Sequence, residues 1–125
     1  MENLSITGST YIPNVRFDAQ SGVLEIAGES YHEYTIEFFQ PIIKWLRDYL
    51  AIPGREIVFN FKMIYFNTSS SRRFLEIFDM LEDYQRSKKG KVTINWYYQT
   101  NDFDMLESGQ DFAEDVNLHF NFYTF

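Results

Sequence analysis

Residues 55–78 read REIVFNFKMIYFNTSSSRRFLEIF, and this stretch decides the fold class. One face of its first half is formed by the alternating residues Ile57, Phe59, Phe61, Met63 and Tyr65. The intervening positions are also largely apolar, which is typical of a central strand covered on each side. A polar break at residues 67–71 follows, and beyond it apolar residues recur at helical spacing. The stretch therefore predicts a buried strand, a short corner and a helix.

Toward the N-terminus, the pattern predicts a hairpin and then a helix. Short apolar runs on either side of a Gln-Ser-Gly turn predict strands paired over residues 14–27. Apolar residues at three- and four-residue spacing predict a helix over residues 33–50. Pro41 lacks an N–H, so we expect either a kink there or a regular helix that begins near Gln40.

Toward the C-terminus, the helix of the central stretch is predicted to end at residues 87–90. A strand follows over residues 91–98, where Val, Ile and Trp alternate with polar residues. Residues 100–101 can cap a third helix that ends near Ala113. Residues 116–122 alternate apolar and polar side chains, which predicts a one-sided edge strand.

This order of elements predicts a single α/β domain over residues 1–125, with a mixed β-sheet and about three helices packed against it. The composition restricts its function. The chain has no cysteine, which excludes disulfides and thiolate chemistry. Its net charge of −7 disfavours nucleic acid and acidic membrane surfaces as partners. No signal peptide and no apolar run of about 18 residues is visible, so we expect a soluble, cytoplasmic protein.

The corner at residues 67–71 is the sharpest local feature, with the sequence Asn67, Thr68, Ser69, Ser70 and Ser71. In α/β sheets a strand-to-helix corner lies at the carboxyl edge, where ligand sites gather. Backbone N–H groups at a helix start favour an anion, so a hydroxyl there is suited to carry a phosphoryl group. Asn, Thr and Ser are also ordinary helix caps, and capping alone is the simpler interpretation of the pattern.

Other candidate residues are less specific. Arg72 and Arg73 follow the corner and are suited either to steer a phosphate or a partner's acidic patch, or simply to lie exposed on the helix. His32 and His119 are too far apart in sequence to suggest zinc. No nucleotide-binding or nucleophile-elbow motif occurs. We therefore expect no enzymatic activity, no metal and no cofactor.

The corner resembles the strand–N-T-S-S–helix motif of the SiaC-type regulatory phosphoproteins. The likeness covers nearly the whole chain, and it is carried by Phe66 to Ser70, Gly28 to Tyr31, Trp45, Leu81 with Glu82, Trp96 with Tyr98, and Phe112 to Asp115. The resemblance implies a fold similar to that of STAS domains, the fold of anti-sigma-factor antagonists. Those antagonists usually show D-S-S-G at this corner, whereas Asn67 and Ser71 stand here, as in the SiaC type.

The resemblance also implies a partner-switching circuit in which Thr68 is the phosphorylated residue. Asn67, Ser69, Ser70 and Ser71 would then shape the corner and cap the helix. A serine/threonine kinase of the histidine-kinase-like ATPase type would add the phosphate, and a PP2C-type phosphatase would remove it. The unmodified form would bind and activate a diguanylate cyclase.

Two other interpretations stay open at this point. In one, the corner at residues 67–71 belongs to a small-ligand or anion-binding domain. In the other, the chain is a structural subunit whose exposed aromatic residues form a dimer surface. Fold likeness alone does not decide between these functions.

Overall fold

The computed structural model describes residues 1–31 and 33–125; His32, one of the two histidines considered above, lies outside them. The elements follow one another as β1 (Leu4–Ile6), β2 (Asn14–Phe17), β3 (Val23–Ser30), α1 (Thr35–Tyr49), β4 (Glu56–Phe66), α2 (Thr68–Ser87), β5 (Lys91–Tyr98), α3 (Phe103–Asp115) and β6 (His119–Thr124).

Within the described residues, the strands form one six-stranded sheet whose spatial order, β1 to β6, is also the chain order. The first three strands pair antiparallel, and β3 to β6 pair parallel. Each parallel pair is joined by one helix, as the β–α–β pattern requires. The mixed sheet with three helices confirms the predicted α/β fold class.

The three helices pack on the same face of the sheet. Right-handed crossovers that always step to the next strand place every helix on one side. Ring contacts agree with this: Phe17 of β2 lies 5.1 Å from Trp45 of α1, and Phe61 lies 5.3 Å from Phe74 of α2. Apolar burial against this face, which is the main favourable term in folding, therefore holds the helices against the sheet.

The prediction that other elements cover both faces of β4 is wrong. Its inward residues, such as Phe59 and Phe61, are fully buried, but Val58 and Lys62 are only half-buried and Ile64 is exposed. No helix among residues 1–31 and 33–125 lies on that second face. In this topology β4 pairs with a neighbouring strand along each of its edges, but helices cover only one of its two faces.

Polar and charged side chains explain why the second face of β4 and its neighbouring strands can lie against water. The amide Nδ2 of Asn95 donates to Asn60 Oδ1 at 2.9 Å, and Asn121 Nδ2 donates to Asn95 Oδ1 at 3.1 Å. Lys62 forms an ion pair with Glu25 at 3.3 Å. These groups satisfy one another across neighbouring strands, so the face remains in contact with water at little cost.

Tyr65 also departs from the predicted pattern. The register between β3 and β4 shifts between Gly28 and Glu29, and Tyr65 is exposed. Phe66 contacts the helix side instead, 5.1 Å from Phe74. The irregularity changes which side chain faces the core at the strand end, a feature that period-two counting does not reveal.

The predicted element boundaries need further corrections. Helix α1 runs unbroken through Pro41, which is exposed. The strand Leu4–Ile6 was not predicted, because its three residues are too short to show a period. The cap of α3 is Asp102, whose carboxylate accepts from the N–H of Met105 at 3.1 Å, while Asn101 precedes it with φ of 71°.

Candidate functional site

The corner between β4 and α2 lies at the carboxyl edge of the parallel strands, as the sequence predicts. Asn67 is the N-cap of α2, and its Oδ1 accepts from the N–H of Ser70 at 2.9 Å. Its own N–H donates to the carbonyl of Ser30 at 3.0 Å. Asn67 is therefore the residue that caps α2 and fixes where the helix begins. Ser69, Ser70 and Ser71, to which the sequence also assigned a capping role, lie inside the first turns of the helix and do not cap it.

Ser70 faces the interior of the protein and is completely buried. Its hydroxyl donates to the carbonyl oxygen of Ser30 at 3.0 Å, and the two hydroxyl oxygens lie 2.7 Å apart. Ser30 is also completely buried. Buried hydroxyls need partners, and this pair satisfies both side chains while tying α2 to the end of β3.

Ser69 faces α1 rather than solvent. Its hydroxyl is hydrogen-bonded to that of Thr35, the first residue of α1, which is 1% exposed. Ser69 itself is half-buried. The hydroxyls of Ser69 and Ser70 therefore join three elements, β3, α1 and α2, at one point, and both are engaged in structural bonds.

Thr68 and Ser71 face the other way, toward a groove between α2 and α3 of about 260 Å³. Thr68 is exposed, and its hydroxyl has no hydrogen-bond partner among residues 1–31 and 33–125. Phe66 and Phe112 contribute apolar surface to the groove. Of the four consecutive hydroxyl residues, Thr68 is therefore the exposed one, while Ser69 and Ser71 are half-buried and Ser70 is buried.

The charges of the α2–α3 groove come from both helices. Arg72 lies one turn after Thr68 on the same face of α2, and Asp111 and Asp115 of α3 lie opposite. Arg72 is exposed and forms no ion pair in the described part of the chain. A charge placed on Thr68 would thus meet one guanidinium on its own helix and two carboxylates across the groove.

Arg73 does not share this groove. It lies on the side of α2 toward α1, and its side chain is 23% exposed. Its Nε is 3.5 Å from Oε2 of Glu76, three residues further along α2. The sequence grouped Arg72 with Arg73, and both line a shallow depression along α2. Because successive residues are rotated by about 100°, only Arg72 also lines the α2–α3 groove and only Arg73 also lines the side toward α1. The prediction that both are simply exposed is wrong for Arg73, and any contact with a phosphate on Thr68 falls to Arg72.

Ser30, Thr35, Asp111 and Asp115 were not recognised from the sequence as parts of the site. Ser30 ends a parallel strand next to β4, which is the one signal that could have placed it at this edge. Thr35 and the two aspartates lie on helices whose rotation is fixed by tertiary packing. Their contribution could not be read from local sequence.

Three tyrosines cluster beside the corner on the exposed side of the strand ends. The Tyr31 ring lies 5.0 Å from that of Tyr11 and 5.2 Å from that of Tyr65, both edge-to-face. The Tyr31 hydroxyl donates to Glu29 Oε2 at 3.0 Å. Desolvation, followed by this hydrogen bond and the negative charge of Glu29, raises the pKa of Tyr31 above its ordinary value. Tyr11 and Tyr65 keep about half of their surface exposed.

Across the described ranges, no cluster of three or more His, Asp or Glu side chains is arranged to hold a metal ion. None of the helices in those ranges combines the length and apolar character needed to cross a membrane.

Comparison with known proteins places this geometry in a family. The model of the SiaC family regulatory phosphoproteins matches residues 6–125. An uncharacterised protein of Pseudomonas aeruginosa strain UCBPP-PA14 is 31% identical over 120 residues, which are 96% of this chain and 94% of that protein.

Solved structures agree. Apo-SiaC from Pseudomonas aeruginosa superposes with a TM-score of 0.90 at 30% identity, covering 98% of this chain and 99% of that one. The SiaC chain in the crystal structure of the diguanylate cyclase SiaD with its activator SiaC, also from Pseudomonas aeruginosa, gives 0.91 at 30% identity, with the same coverage. This chain belongs to the SiaC family of regulatory phosphoproteins.

Proposed function

We propose that this protein is a phosphorylation-controlled binding switch and that Thr68 is its phosphoacceptor. The observation that carries the proposal is the different environment of the four hydroxyls at the corner. Ser70 is buried against Ser30, and Ser69 is bonded to Thr35. Thr68 is exposed and without a bonded partner in the described residues. A kinase reaches Thr68 without opening the fold.

The corner tolerates a phosphate on Thr68. A phosphothreonine carries about −1.5 to −2 charges near neutral pH. At the first residue of α2 this charge interacts favourably with the N-terminal end of the helix dipole, by about 0.3–1 kcal/mol when exposed. Arg72 adds attraction and the aspartates of the groove add repulsion, both screened by water. The phosphate therefore leaves the fold in place.

A partner packed against the corner responds to the same charge more strongly. Binding would have to desolvate the phosphate, and burying an unpaired charge costs several kcal/mol. The exposed rings of Tyr11 and Tyr65 lie beside the corner and supply the type of apolar surface that binding hot spots use. Phosphorylation therefore acts on binding.

The effector that best fits is a diguanylate cyclase. Its support is the structure of Pseudomonas aeruginosa SiaD with its activator SiaC, whose SiaC chain has the fold of this chain. In this account the unmodified form binds and activates the cyclase in a bacterial partner-switching pathway. A serine/threonine kinase of the histidine-kinase-like ATPase type adds the phosphate, and a PP2C-type phosphatase removes it. The chain performs no reaction itself and acts in the cytoplasm.

The anion-binding alternative gains less support from the geometry. Asn67 Oδ1 already accepts from the N–H of Ser70, which an anion at the helix start would otherwise engage. Ser69 and Ser70 face away from Thr68 and Ser71, so the hydroxyls do not converge on one ligand.

The proposal is tested by measuring cyclase turnover of GTP with the unmodified protein, with the protein phosphorylated by its kinase, and with Thr68→Ala. We expect activation by the unmodified protein and by Thr68→Ala, and loss of activation on phosphorylation. Ser71→Ala, in the same groove, is the matched control and should behave as wild type. Equal activation by the phosphorylated and unmodified forms would contradict the switch.

A further inference from the structure

A second groove runs between α1 and α2, on the side of α2 away from Thr68. It consists of two adjoining depressions of about 360 Å³ and about 220 Å³, both lined by Arg47. Ile36 and Ile43 give the first depression an apolar lining, and Leu50 and Tyr84 do so in the second. The groove therefore extends along most of α1, whose 15 residues span about 22 Å.

The lining of this α1–α2 groove is basic, although the chain is acidic. Its charged residues are Lys44, Arg47, Arg73 and Lys88 against Glu76 and Asp83. Four cations and two carboxylates give the lining a net charge of +2 in a chain of net charge −7. Asp83 is in addition paired with Arg86 at 2.8 Å. Lys44 is paired with Asp48, but this pair is exposed and contributes little.

The guanidinium of Arg73 lacks a full set of acceptors. Its Nε–H is buried and makes no hydrogen bond in the part of the chain that the structure describes. The nearest carboxylate oxygen, Glu76 Oε2, lies 3.5 Å from Nε. A guanidinium prefers two parallel hydrogen bonds to one carboxylate. The side chain is 23% exposed, so N–H groups of the guanidinium other than the buried Nε–H are available to an external carboxylate.

The apolar lining of the groove indicates that its ligand has an apolar surface as well as charge. Ile36 begins the groove with 63% of its surface exposed. Two adjacent helices with apolar residues between them and charges along the rim form a common type of binding groove for a third, amphipathic helix. A flat membrane surface would not enter such a groove, and nucleic acid would be repelled by the net charge of the chain.

We propose that the α1–α2 groove binds an acidic amphipathic helix of the effector protein. The proposal rests on the proposed function, because the effector is the partner that Thr68 controls. Apolar residues of the effector helix pack on Ile36 and Ile43, and its carboxylates pair with Arg47 and Arg73.

The position of the groove links it to the switch. Ser69 is bonded to Thr35, the residue before Ile36, so the groove begins next to the corner. Thr68 and Arg73 are separated by five helical residues, which is about 7.5 Å along the axis and about 140° around it, so the two side chains lie on different sides of α2. A phosphate on Thr68 therefore acts mainly on the end of the bound helix that lies nearest the corner, and its repulsion there is screened by salt.

The test measures the affinity of the unphosphorylated protein for the diguanylate cyclase at about 50 mM and about 200 mM salt. The variant is Arg47→Glu with Arg73→Glu. The matched control, Lys89→Glu with Lys91→Glu, changes the net charge equally at the exposed α2–β5 turn. We expect the groove variant to lose at least about tenfold in affinity and most of its salt dependence, and the control to stay within about twofold of wild type.

A second measurement does not depend on the folding of any variant. Carbodiimide coupling of the wild-type complex joins amines to carboxylates in direct contact, and we expect Lys44 or Lys88 to be the main site joined to the cyclase. Equal loss in both variant pairs, no loss in the groove variant, or coupling mainly at Lys62, Lys89 or Lys91 would overturn the proposal. Anionic phospholipid vesicles that bind wild type but not the groove variant, with cyclase affinity unchanged, would assign the groove to a lipid surface instead. Thr68→Ala and the phosphorylated protein, titrated alongside, test the switch separately.

Discussion

The hydroxyl of Ser70 lies 2.7 Å from the hydroxyl of Ser30, with both side chains completely buried. This bond crosses 40 residues of sequence and fixes the first turn of α2 against the end of β3. Because it orients the start of α2, it also determines that Thr68 faces outward. The buried hydroxyl of Ser70 and the exposed hydroxyl of Thr68 are therefore close in sequence but lie in opposite environments.

Replacing Ser70 by Ala should destabilise the protein by about 1–3 kcal/mol, because the Ser30 hydroxyl then loses its partner in a buried site. Urea unfolding of Ser70→Ala beside Ser71→Ala measures the difference. Ser71 is half-buried at the groove, and its loss should cost less than about 0.5 kcal/mol. Equal costs for the two variants would show that the buried pair does not hold the corner.

The cap at Asn67 gives a second stability prediction. Asn67→Ala removes the acceptor for the Ser70 N–H and should cost about 1 kcal/mol. Asn67→Asp keeps a cap and adds a favourable charge at the helix start, so it should unfold close to wild type. Thermal melts of both variants provide the comparison. An Ala variant as stable as the Asp variant would contradict the capping role.

Phosphorylation should occur on Thr68 and leave the three serines largely unmodified. Ser70 is buried, Ser69 is bonded to Thr35, and Ser71 is half-buried at the groove. Mass spectrometry after incubation with the kinase and ATP locates the phosphate. If most of it is found on Ser69, Ser70 or Ser71, the assignment is wrong.

Gly109 of α3 should not tolerate alanine, although alanine is the better helix former. A Cβ at this position would lie 2.5 Å from both Cδ1 and Nε1 of the buried Trp96 ring. Overpacking of this kind costs about 1–3 kcal/mol, which exceeds the gain in helix propensity of about 1 kcal/mol. Denaturant unfolding of Gly109→Ala should show the loss, with the exposed Gln110→Ala as control. A stabilised Gly109→Ala would show that α3 packs differently.

The sequence predicted the hairpin, the β–α–β order and a cap at the corner because each rests on local chemistry. The alternation in residues 57–63 and the Asn67 cap are examples, and both appear in the structure. The start of α2 was predicted beyond the polar residues 67–71, whereas the helix already begins at Thr68. The uncovered face of β4 was missed, because a strand with apolar residues on both sides does not reveal which layers are present. The continuity of α1 through Pro41 was left open for a similar reason, since packing of Phe39, Ile42 and Leu46 outweighs the cost of the proline.

The candidate site was predicted in part. The five residues of the corner were found from their hydroxyl and amide groups, but their separation into inward and outward sides depends on how α2 is rotated against the sheet. Ser30 and Thr35 join the site only through long-range contacts. The different environments of Arg72 and Arg73 follow from the same rotation.

Calorimetric titration against the diguanylate cyclase, with the melting temperature of each form measured beside it, tests the central claim most directly. The account predicts that the unmodified protein and Thr68→Ala bind alike, that the phosphorylated protein binds about a hundredfold more weakly, and that Thr68→Asp shows part of this loss. The melting temperatures should differ little, since the phosphate lies exposed at a helix N-terminus. Equal affinities of the phosphorylated and unmodified forms, or a large drop in melting temperature on phosphorylation, would contradict it.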